Sequence, residues 1–417
     1  MDHLTAVKTE IVDEDRKPVR LRGVNLGGWL MMEAYILYAP NRAEQLFKKH
    51  FVKKLGVRAL QDFEKNFRDH FIREKDIENI GRLGFNCIRV PFNFRLIEKQ
   101  PYRYDRRGLE YLDRLISWAK EYGIWIILDL HAAPGAQNHD WHSDSLGKAG
   151  LWQRPEFQER VYALWEFLAD HYRDEDTIAG YDLLNEAVLA DHQLLNRFYQ
   201  RLMKRIRAID KRHILFVEGN HWAQDIDCLE DFSDDNLALS IHFYHPLEFT
   251  FNLVPQQSYP LGNGPSRFDR QTIRHRLRPY AQKAKRTKRP LYVGEFGVNA
   301  REGKYGEDHY LHDLLVGFEE FGFHWTYWTY KAVKNGILPD GIYSYLDNPA
   351  WVNRAGPLTG WETYANLWPQ ERQAIVKSWE TDAFRPNPSV LTALQNALRY
   401  SATPRRGGVS QQYSLAE

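Results

Sequence analysis

The sequence has few cysteines, no long apolar run and no excess of charge. Only 2 of its 417 residues are cysteine, Cys87 and Cys228, which is too few for a disulfide framework or a thiolate metal site. No stretch of about 20 apolar residues could span a membrane, and the N-terminal segment lacks the apolar core of a signal peptide. The formal net charge is +1, so no overall field attracts nucleic acid or anionic lipid. We therefore expect a soluble cytoplasmic protein with reduced thiols that binds neither nucleic acid nor membrane, or a secreted one if a leader has been removed.

Short apolar runs alternate with longer amphipathic segments along most of the chain, which is typical of a parallel sheet covered by helices. About eight strand–helix units match a (β/α)8 barrel. We therefore predict an α/β fold, a (β/α)8 TIM barrel forming one catalytic domain over residues 1–400, with a flexible tail at 401–417. The predicted strands lie near 21–25, 85–90, 125–130, 180–185, 214–219, 237–243, 291–296 and 324–330.

The extra length of the chain falls in segments that follow predicted strands. Residues 35–72 predict one or two inserted helices, whereas 245–268 and 331–368 are expected to be long loops rich in aromatic residues. Loops after strands lie on the C-terminal face of a barrel, where barrel enzymes hold their active sites. We therefore expect these long inserted loops to shape a cleft on that face.

Polar side chains recur at or just beyond the ends of the predicted strands. One such residue, for example His131, would more often be a hydrogen-bonded core residue than a functional one. The joint pattern on most strands instead predicts that these side chains converge on one cavity. The residues are Arg89, His131, Asn185, Glu186, Glu218, His242, Tyr244, Glu295 and Trp328.

Glu186 and Glu295 each follow a short apolar run, where a buried charge is costly unless it is paired or used. Cleavage of a glycosidic bond by the retaining route uses two carboxyl groups roughly 5 Å apart, one as proton donor and one as nucleophile. We predict Glu186 as the donor and Glu295 as the nucleophile, with Arg89 and Tyr244 keeping Glu295 ionised and oriented. The alternative is that Glu295 forms only a structural ion pair with Arg89.

Two neighbouring residues are candidates for sugar contacts. Asn185 could bind a sugar 2-hydroxyl, a contact that strengthens in the transition state. Trp328 could form a floor beneath the sugar or belong to the barrel core. Strand alternation places Trp325 and Tyr327 on the face opposite Trp328, and we favour Trp328 because it is nearer the C-terminal end of its strand.

The ordered motifs along the chain resemble glycoside hydrolase family 5. The resemblance implies a retaining mechanism through a glycosyl-enzyme intermediate, with Glu186 as acid/base and Glu295 as nucleophile. It also implies a carbohydrate substrate bound by Arg89, His131, Asn185, His242, Tyr244 and Trp328, and neither a cofactor nor a metal. The motifs are RGVNLGGW (22–29), NCIRVPF (86–92), LDLHAAPGAQN (128–138), LLNEA (183–187), SIHFYHP (240–246), VGEFG (293–297) and WTYW (325–328).

Two of these segments resemble the branch of exo-acting β-1,3-glucanases and β-glucosidases, namely GGWLMMEAYI and DLHAAPGAQN. The resemblance implies that Glu33 and Asn138 contact the substrate. A loop aspartate after the second segment would do the same, and Asp140 and Asp144 compete for that role. The expected substrates are β-glucans, oligosaccharides or glucosides.

Three other functions remain open from the sequence. A metal-dependent hydrolase could use the HxxH pairs His139/His142 and His242/His245, although neither has an evident carboxylate third ligand. A barrel that only binds carbohydrate would be expected to have lost one of the two glutamates. An endo-acting β-1,4-glucanase or a β-mannosidase would use the same strand-end residues with different loops.

Overall fold

The computed structural model describes residues 1–37, 41–334, 336–344 and 361–400. The predicted tail at 401–417 and much of the predicted loop at 331–368 lie outside the described residues.

Eight parallel strands close into a barrel in which each strand pairs with its sequence neighbours and the last pairs with the first. This confirms the predicted (β/α)8 fold. The strands are β1 (Arg22–Asn25), β2 (Cys87–Asn93), β3 (Trp125–Ala132), β4 (Ile178–Asp182), β5 (Ile214–Glu218), β6 (Leu237–His242), β7 (Leu291–Glu295) and β8 (His324–Tyr327).

Ten longer helices surround the barrel or extend from it, and no helix in the described residues is long and apolar enough to cross a membrane. They are α1 (Glu44–Leu55), α2 (Val57–Phe71), α3 (Glu74–Arg82), α4 (Arg106–Glu121), α5 (Pro155–Tyr172), α6 (His192–Arg207), α7 (Arg270–Thr287), α8 (Glu307–Phe321), α9 (Trp361–Trp379) and α10 (Pro388–Tyr400). Short helical turns lie at Ala34–Leu37, Phe94–Leu96, Trp141–Ser143, Gly150–Trp152, Asn220–Ala223, Leu247–Thr250, Gly264–Ser266 and Thr381–Ala383.

The N-terminal end of the barrel is filled by apolar side chains. Leu4, Ala6 and Ile11 come from an N-terminal hairpin and pack in one cluster with inward residues of the barrel strands. The hairpin strands are Thr5–Val7 and Glu10–Val12, and a third strand, Pro18–Val19, pairs with the second. Because this end is filled, a cavity can open only at the opposite, C-terminal end.

The inserted helices α1 and α2 confirm the helical prediction for residues 35–72. They bury an aromatic cluster against α9, in which the Phe63 ring lies 5.0 Å from Trp368 and 5.4 Å from Trp379 between ring centroids. The expectation of a loop up to residue 368 is wrong for 361–368, because α9 begins at Trp361. Its buried Tyr364, Trp368 and Trp379 recur at helical spacing, and burial of these rings stabilises the helix.

Candidate active site

A cavity of about 390 Å³ opens at the C-terminal end of the barrel strands. Its size falls within the range of ~300–1,000 Å³ typical of small-molecule sites. Both predicted catalytic carboxylates line it. The lining residues are Glu33, Tyr35, Asn41, His131, Asp140, Trp141, His142, Glu186, Trp222, Gln224, Tyr244, Leu247, Phe251, Glu295, Trp328, Leu338 and Pro339.

The carboxylates of Glu186 and Glu295 face each other across this cavity. One oxygen of each lies within 4.8 Å of the other, and His242 Nδ1 lies 2.6 Å from Glu186 Oε1 and 3.5 Å from Glu295 Oε2. Retaining glycosidases hold their two carboxyl groups about 5–5.5 Å apart, whereas inverting enzymes need about 6.5–9.5 Å to admit a water molecule. The spacing therefore fits direct attack by one carboxylate on the sugar.

Glu295 ends β7 and is held by two donors. Arg89 Nη1 donates to Oε1 at 2.7 Å, and the Tyr244 hydroxyl donates to Oε2 at 2.9 Å. Charge-assisted hydrogen bonds of this kind are short and directional, so they fix the orientation of the carboxylate. The geometry thus places Arg89 and Tyr244 where the sequence predicted them.

Arg89 is a fully buried cation surrounded by carboxylates from four other strands. Besides Glu295, it pairs with Asp129 at 3.1 Å, Asp182 at 2.9 Å and Glu218 at 3.1 Å. The sequence left an ion pair with Arg89 as the alternative role of Glu295. That ion pair is present, and it is the same contact that orients the Glu295 carboxylate. Burial and the nearby Glu218 charge outweigh Arg89 and raise the pKa of Asp182 to about 7.

Glu186 lies four residues beyond the end of β4, in a backbone conformation with φ of +47°. Non-glycine residues in this region are strained, and such strain is common at functional sites. The backbone is held on both sides: its N–H donates to Glu218 Oε2 at 2.6 Å, and Asn138 Nδ2 donates to its carbonyl at 2.9 Å. These two contacts fix the direction in which the carboxylate points.

The Glu186 carboxylate is itself bonded to an imidazole. His242 Nδ1 lies 2.6 Å from Oε1, and His142 Nε2 lies 3.5 Å from Oε2. Burial alone would raise the pKa of Glu186, but the hydrogen bond and charge of His242, with a further contribution from His142, lower it to about 2. His242 has its own pKa raised, because the charges of Glu295, Glu218 and Glu186 outweigh its burial. The mobile proton of this pair therefore resides on His242.

One end of the cavity is closed by a second polar group. Glu33 Oε1 lies 2.9 Å from His131 Nε2, and Asp129 Oδ2 lies 2.8 Å from His131 Nδ1. Burial would lower the pKa of His131, but Asp129 and Glu33 outweigh it and raise the pKa to about 10. Trp328 stacks on the His131 ring at 5.4 Å and 9°, and its indole N–H donates to the Tyr35 hydroxyl.

Four residues predicted to bind substrate lie behind the cavity surface instead. Arg89, Asn138, Asn185 and His242 are at most 1% exposed and do not line the cavity. Arg89, Asn138 and His242 position the two catalytic carboxylates by the contacts given above. Asn185 accepts a hydrogen bond from Arg89 through Oδ1, and its buried Nδ2 has no hydrogen-bond partner among the described residues. That donor is the part of Asn185 left for a sugar hydroxyl.

The structure distinguishes Asp140 from Asp144, the two loop aspartates that the sequence left as alternatives for one substrate contact. Asp140 lines the cavity and accepts a hydrogen bond from Trp222 Nε1 at 2.8 Å. Asp144 is buried elsewhere, where it accepts from the Gln45 backbone at 2.8 Å and pairs with Arg95 at 3.0 Å. Asp140 is therefore the aspartate that a substrate can reach.

The family model described as "Cellulase (glycosyl hydrolase family 5)" matches residues 52–334 of the chain. The chain belongs to glycosyl hydrolase family 5. A β-xylosidase of Phanerodontia chrysosporium is 36% identical over 80% of this chain and 71% of its own length. Endoglucanase C of Acetivibrio thermocellus is 28% identical over 75% of this chain and 91% of its own.

Solved structures agree in fold. Cel5A of Thermotoga maritima, solved in complex with cellobiose, has a TM-score of 0.61 at 20% identity, over 90% of this chain and 97% of that one. The curated relatives also include glucan 1,3-β-glucosidases. The predicted family is therefore confirmed, and with it retaining β-glycosidase chemistry at the level of the family. Because the relatives carry different substrate names, the substrate of this family 5 enzyme must be argued from its own cavity.

The cavity residues of this family 5 enzyme that sequence reasoning did not single out include His142, named only as part of an HxxH pair, and Trp222. Both lie in loops, after β3 and β5, and no periodic signal marks them. Glu218 was recognised as a strand-end residue but given no role, although it contacts Arg89, His242 and the Glu186 backbone. Its position at the end of β5, between the catalytic strands, was the available signal.

The HxxH pairs do not assemble a metal centre in the part of the chain that the structure describes. There, two groups of three possible ligands come together: Glu186 with His242 and Glu295, and His192 with His221 and Asp225. The first group belongs to the hydrogen-bonded catalytic network. The second contains no residue of either HxxH pair.

Proposed function

We propose that this family 5 enzyme is an exo-acting β-glucosidase that releases a terminal sugar from short β-glucan oligosaccharides or glucosides. The observation that carries the proposal is the pair Glu186 and Glu295, with oxygens within 4.8 Å, in a cavity that has a polar closed end.

In the first step, an oxygen of Glu295 attacks the anomeric carbon and forms a glycosyl ester. Arg89 and Tyr244 hold the Glu295 carboxylate in position for the attack through hydrogen bonds of 2.7 and 2.9 Å. The leaving oxygen takes a proton from Glu186, which Glu186 receives from His242 across their 2.6 Å hydrogen bond as the leaving group approaches. The Asn185 amide donates to the 2-hydroxyl, which stabilises the oxocarbenium-like transition state.

In the second step, Glu186 acts as the base. It is ionised again after the leaving group departs, and it removes a proton from a water molecule that attacks the same anomeric carbon. The ester bond to Glu295 breaks, and the sugar is released with its original β configuration. The lowered pKa of about 2 keeps Glu186 ionised in the resting enzyme, and the short hydrogen bond to His242 supplies the proton required in the first step.

The exo-action is supported by the closed end formed by Glu33, His131 and Trp328, each at most 3% exposed. Glu33 offers an acceptor to the hydroxyls of a terminal sugar, and the Trp328 indole offers a flat apolar face for the ring. Among the described residues, the proton donor Glu186 and Trp222 line another side of the cavity, from which further sugars would extend. That side is therefore assigned to the leaving group.

The test combines a trapping reagent with a substrate panel. A 2-fluoro-2-deoxy-β-glucoside with a good leaving group should label Glu295 in the wild type, found by peptide mass spectrometry, and no label should form in Glu295→Gln. The exposed Glu302→Gln is the matched control and should be labelled fully. Terminal glucose as first product from β-1,3 and β-1,4 oligosaccharides supports exo-action, whereas internal cleavage products would refute it. Faster turnover of β-xylosides or β-mannosides than β-glucosides would refute the assignment of the sugar.

A further inference from the structure

A second group of side chains that can bind a metal ion lies beside the leaving-group wall of the cavity, which is the side formed by Glu186 and Trp222. It consists of His192 at the start of α6, and His221 and Asp225 in the loop after β5. One nitrogen of each histidine and one carboxylate oxygen lie within 4.8 Å of one another. We propose that these three side chains bind one divalent transition-metal ion, with Zn²⁺ as the best fit, and thereby fix the loop that carries Trp222.

The donor set agrees with this ion. Two imidazoles and one carboxylate leave a fourth position for water, which is a common arrangement for Zn²⁺. A tetrahedral ion with bonds of ~2.0–2.2 Å needs its ligand atoms ~3.3 Å apart. The three ligand atoms lie within 4.8 Å of one another, His221 is exposed and the other two residues are half-buried, so the ion would have to draw the atoms closer as it binds.

Hydrogen bonds already orient the Asp225 carboxylate and hold the backbone of the loop around it. Asp225 Oδ1 accepts the backbone N–H groups of Asp227 and Cys228 at 3.1 and 3.2 Å, which orients the carboxylate. Asn220 and Asp225 exchange two backbone hydrogen bonds of 3.0 Å, which closes the loop between them. Partners outside the ligand shell commonly orient metal ligands in this manner.

The same loop is tied to the segment that leads into α6. Asn220 accepts from the Leu189 N–H at 3.1 Å and donates to the Leu189 carbonyl at 2.7 Å. His192 follows three residues later, so its ring meets the His221 ring with a centroid distance of 6.0 Å and an angle of 83°. An ion would add a second link between the same two segments.

Backbone strain in the loop gives an independent reason to expect a ligand there. His221, Trp222 and Ala223 have φ of +52°, +55° and +59°, and consecutive non-glycine residues in this region persist only where the surroundings hold them. Trp222 is 41% exposed, yet it lines the cavity and its indole N–H is bound to Asp140. The ion would hold this strained conformation and, with it, the position of the Trp222 ring.

Metal binding is measured first, and that measurement does not depend on the proposed function. Chelator-treated enzyme is titrated with ZnCl₂ in competition with a chromogenic chelator, and the wild type should bind one Zn²⁺ per chain. The double variant His192→Gln/His221→Gln should bind none, and His50→Gln, an exposed histidine on α1, should still bind one. Circular dichroism checks that each variant is folded, and His192→Gln alone, with affinity reduced at least tenfold, replaces the double variant if that one misfolds.

Two results would overturn the site. One is the lack of saturable binding in the wild type, and the other is one Zn²⁺ bound equally by the double variant, which would place the ion at other residues. The expected effect of the ion on Trp222, and through it on substrate binding, rests on the proposed function and is tested separately. Zn²⁺ should lower KM for β-linked oligosaccharides at least threefold in the wild type and leave KM unchanged in the double variant. An unchanged KM despite binding would overturn the link to Trp222 but not the site.

Discussion

The substitution Arg89→Met tests whether the buried cation holds the catalytic carboxylates and the barrel together. Methionine fills similar space without charge, and it leaves Asp129, Asp182, Glu218 and Glu295 without the cation that lies 2.7 to 3.1 Å from each. Removing one partner of a buried ion pair costs ~3–5 kcal/mol. Against a total stability of ~5–15 kcal/mol for a typical protein, this loss is large.

The cost should depend on pH in a defined direction. Burial already raises the pKa of Asp129 and raises that of Asp182 to about 7, and without Arg89 both pKa values rise further. The folded variant then binds more protons than the unfolded chain, so its stability falls as pH rises. The difference between variant and wild type should therefore be larger at pH 8 than at pH 5.

Urea unfolding followed by tryptophan fluorescence at both pH values measures this difference. The matched control is Arg197→Met, which removes an exposed pair with Asp191 at 3.2 Å and should cost less than ~1 kcal/mol. The reasoning fails if Arg89→Met costs no more than the control at pH 8, or if its cost is greater at pH 5.

Three further outcomes are expected. Tyr244→Phe removes a charged hydrogen bond from Glu295, worth ~1.5–3 kcal/mol, so kcat should fall about ten- to a hundredfold with KM little changed; a kcat within threefold of wild type would contradict the assignment. Gly297→Ala places a Cβ 2.4 Å from the Trp328 carbonyl oxygen, so thermal unfolding should show a loss of ~1–3 kcal/mol, whereas Gly336→Ala, whose Cβ meets nothing within 4 Å, should show little change. His131 has a pKa raised to about 10, so the stability that its charge contributes is present below pH 6.5 and is lost between about pH 6.5 and 10. The gap in urea midpoint between wild type and His131→Asn should shrink over that range, and a constant gap would argue against a charged His131.

The fold and the central carboxylates could be predicted because both produce a regular pattern of residues in the sequence. Apolar runs of strand length alternate with amphipathic segments, and polar residues at their ends must converge once the strands close into a barrel. Glu186, Glu295, Arg89 and Tyr244 all meet where this logic places them. The cytoplasmic location has no structural counterpart and stays a prediction.

The rest depends on loop geometry, which no periodicity encodes. Asn138 and His242 were expected at the sugar, but their side chains bond to the backbone and the carboxylate of Glu186. Asn185 uses its oxygen for Arg89, so only its Nδ2 is left for a sugar hydroxyl. The start of helix α9 was missed because the aromatic residues up to 368 were assigned to a loop, although Trp368 and Trp379 pack against Phe63 of α2. The segment is helical because its aromatic side chains are buried against residues that are distant in the sequence.

The carboxylates stand on barrel strands or are braced by them, whereas Trp222, Leu247, Phe251 and Asp140 reach the cavity from loops. Loops could therefore be exchanged during evolution, with a change of substrate specificity, while the catalytic carboxylates and their supporting strands stay the same. Grafting segments 220–225 or 247–251 from relatives is the corresponding route for engineers who wish to redirect this enzyme.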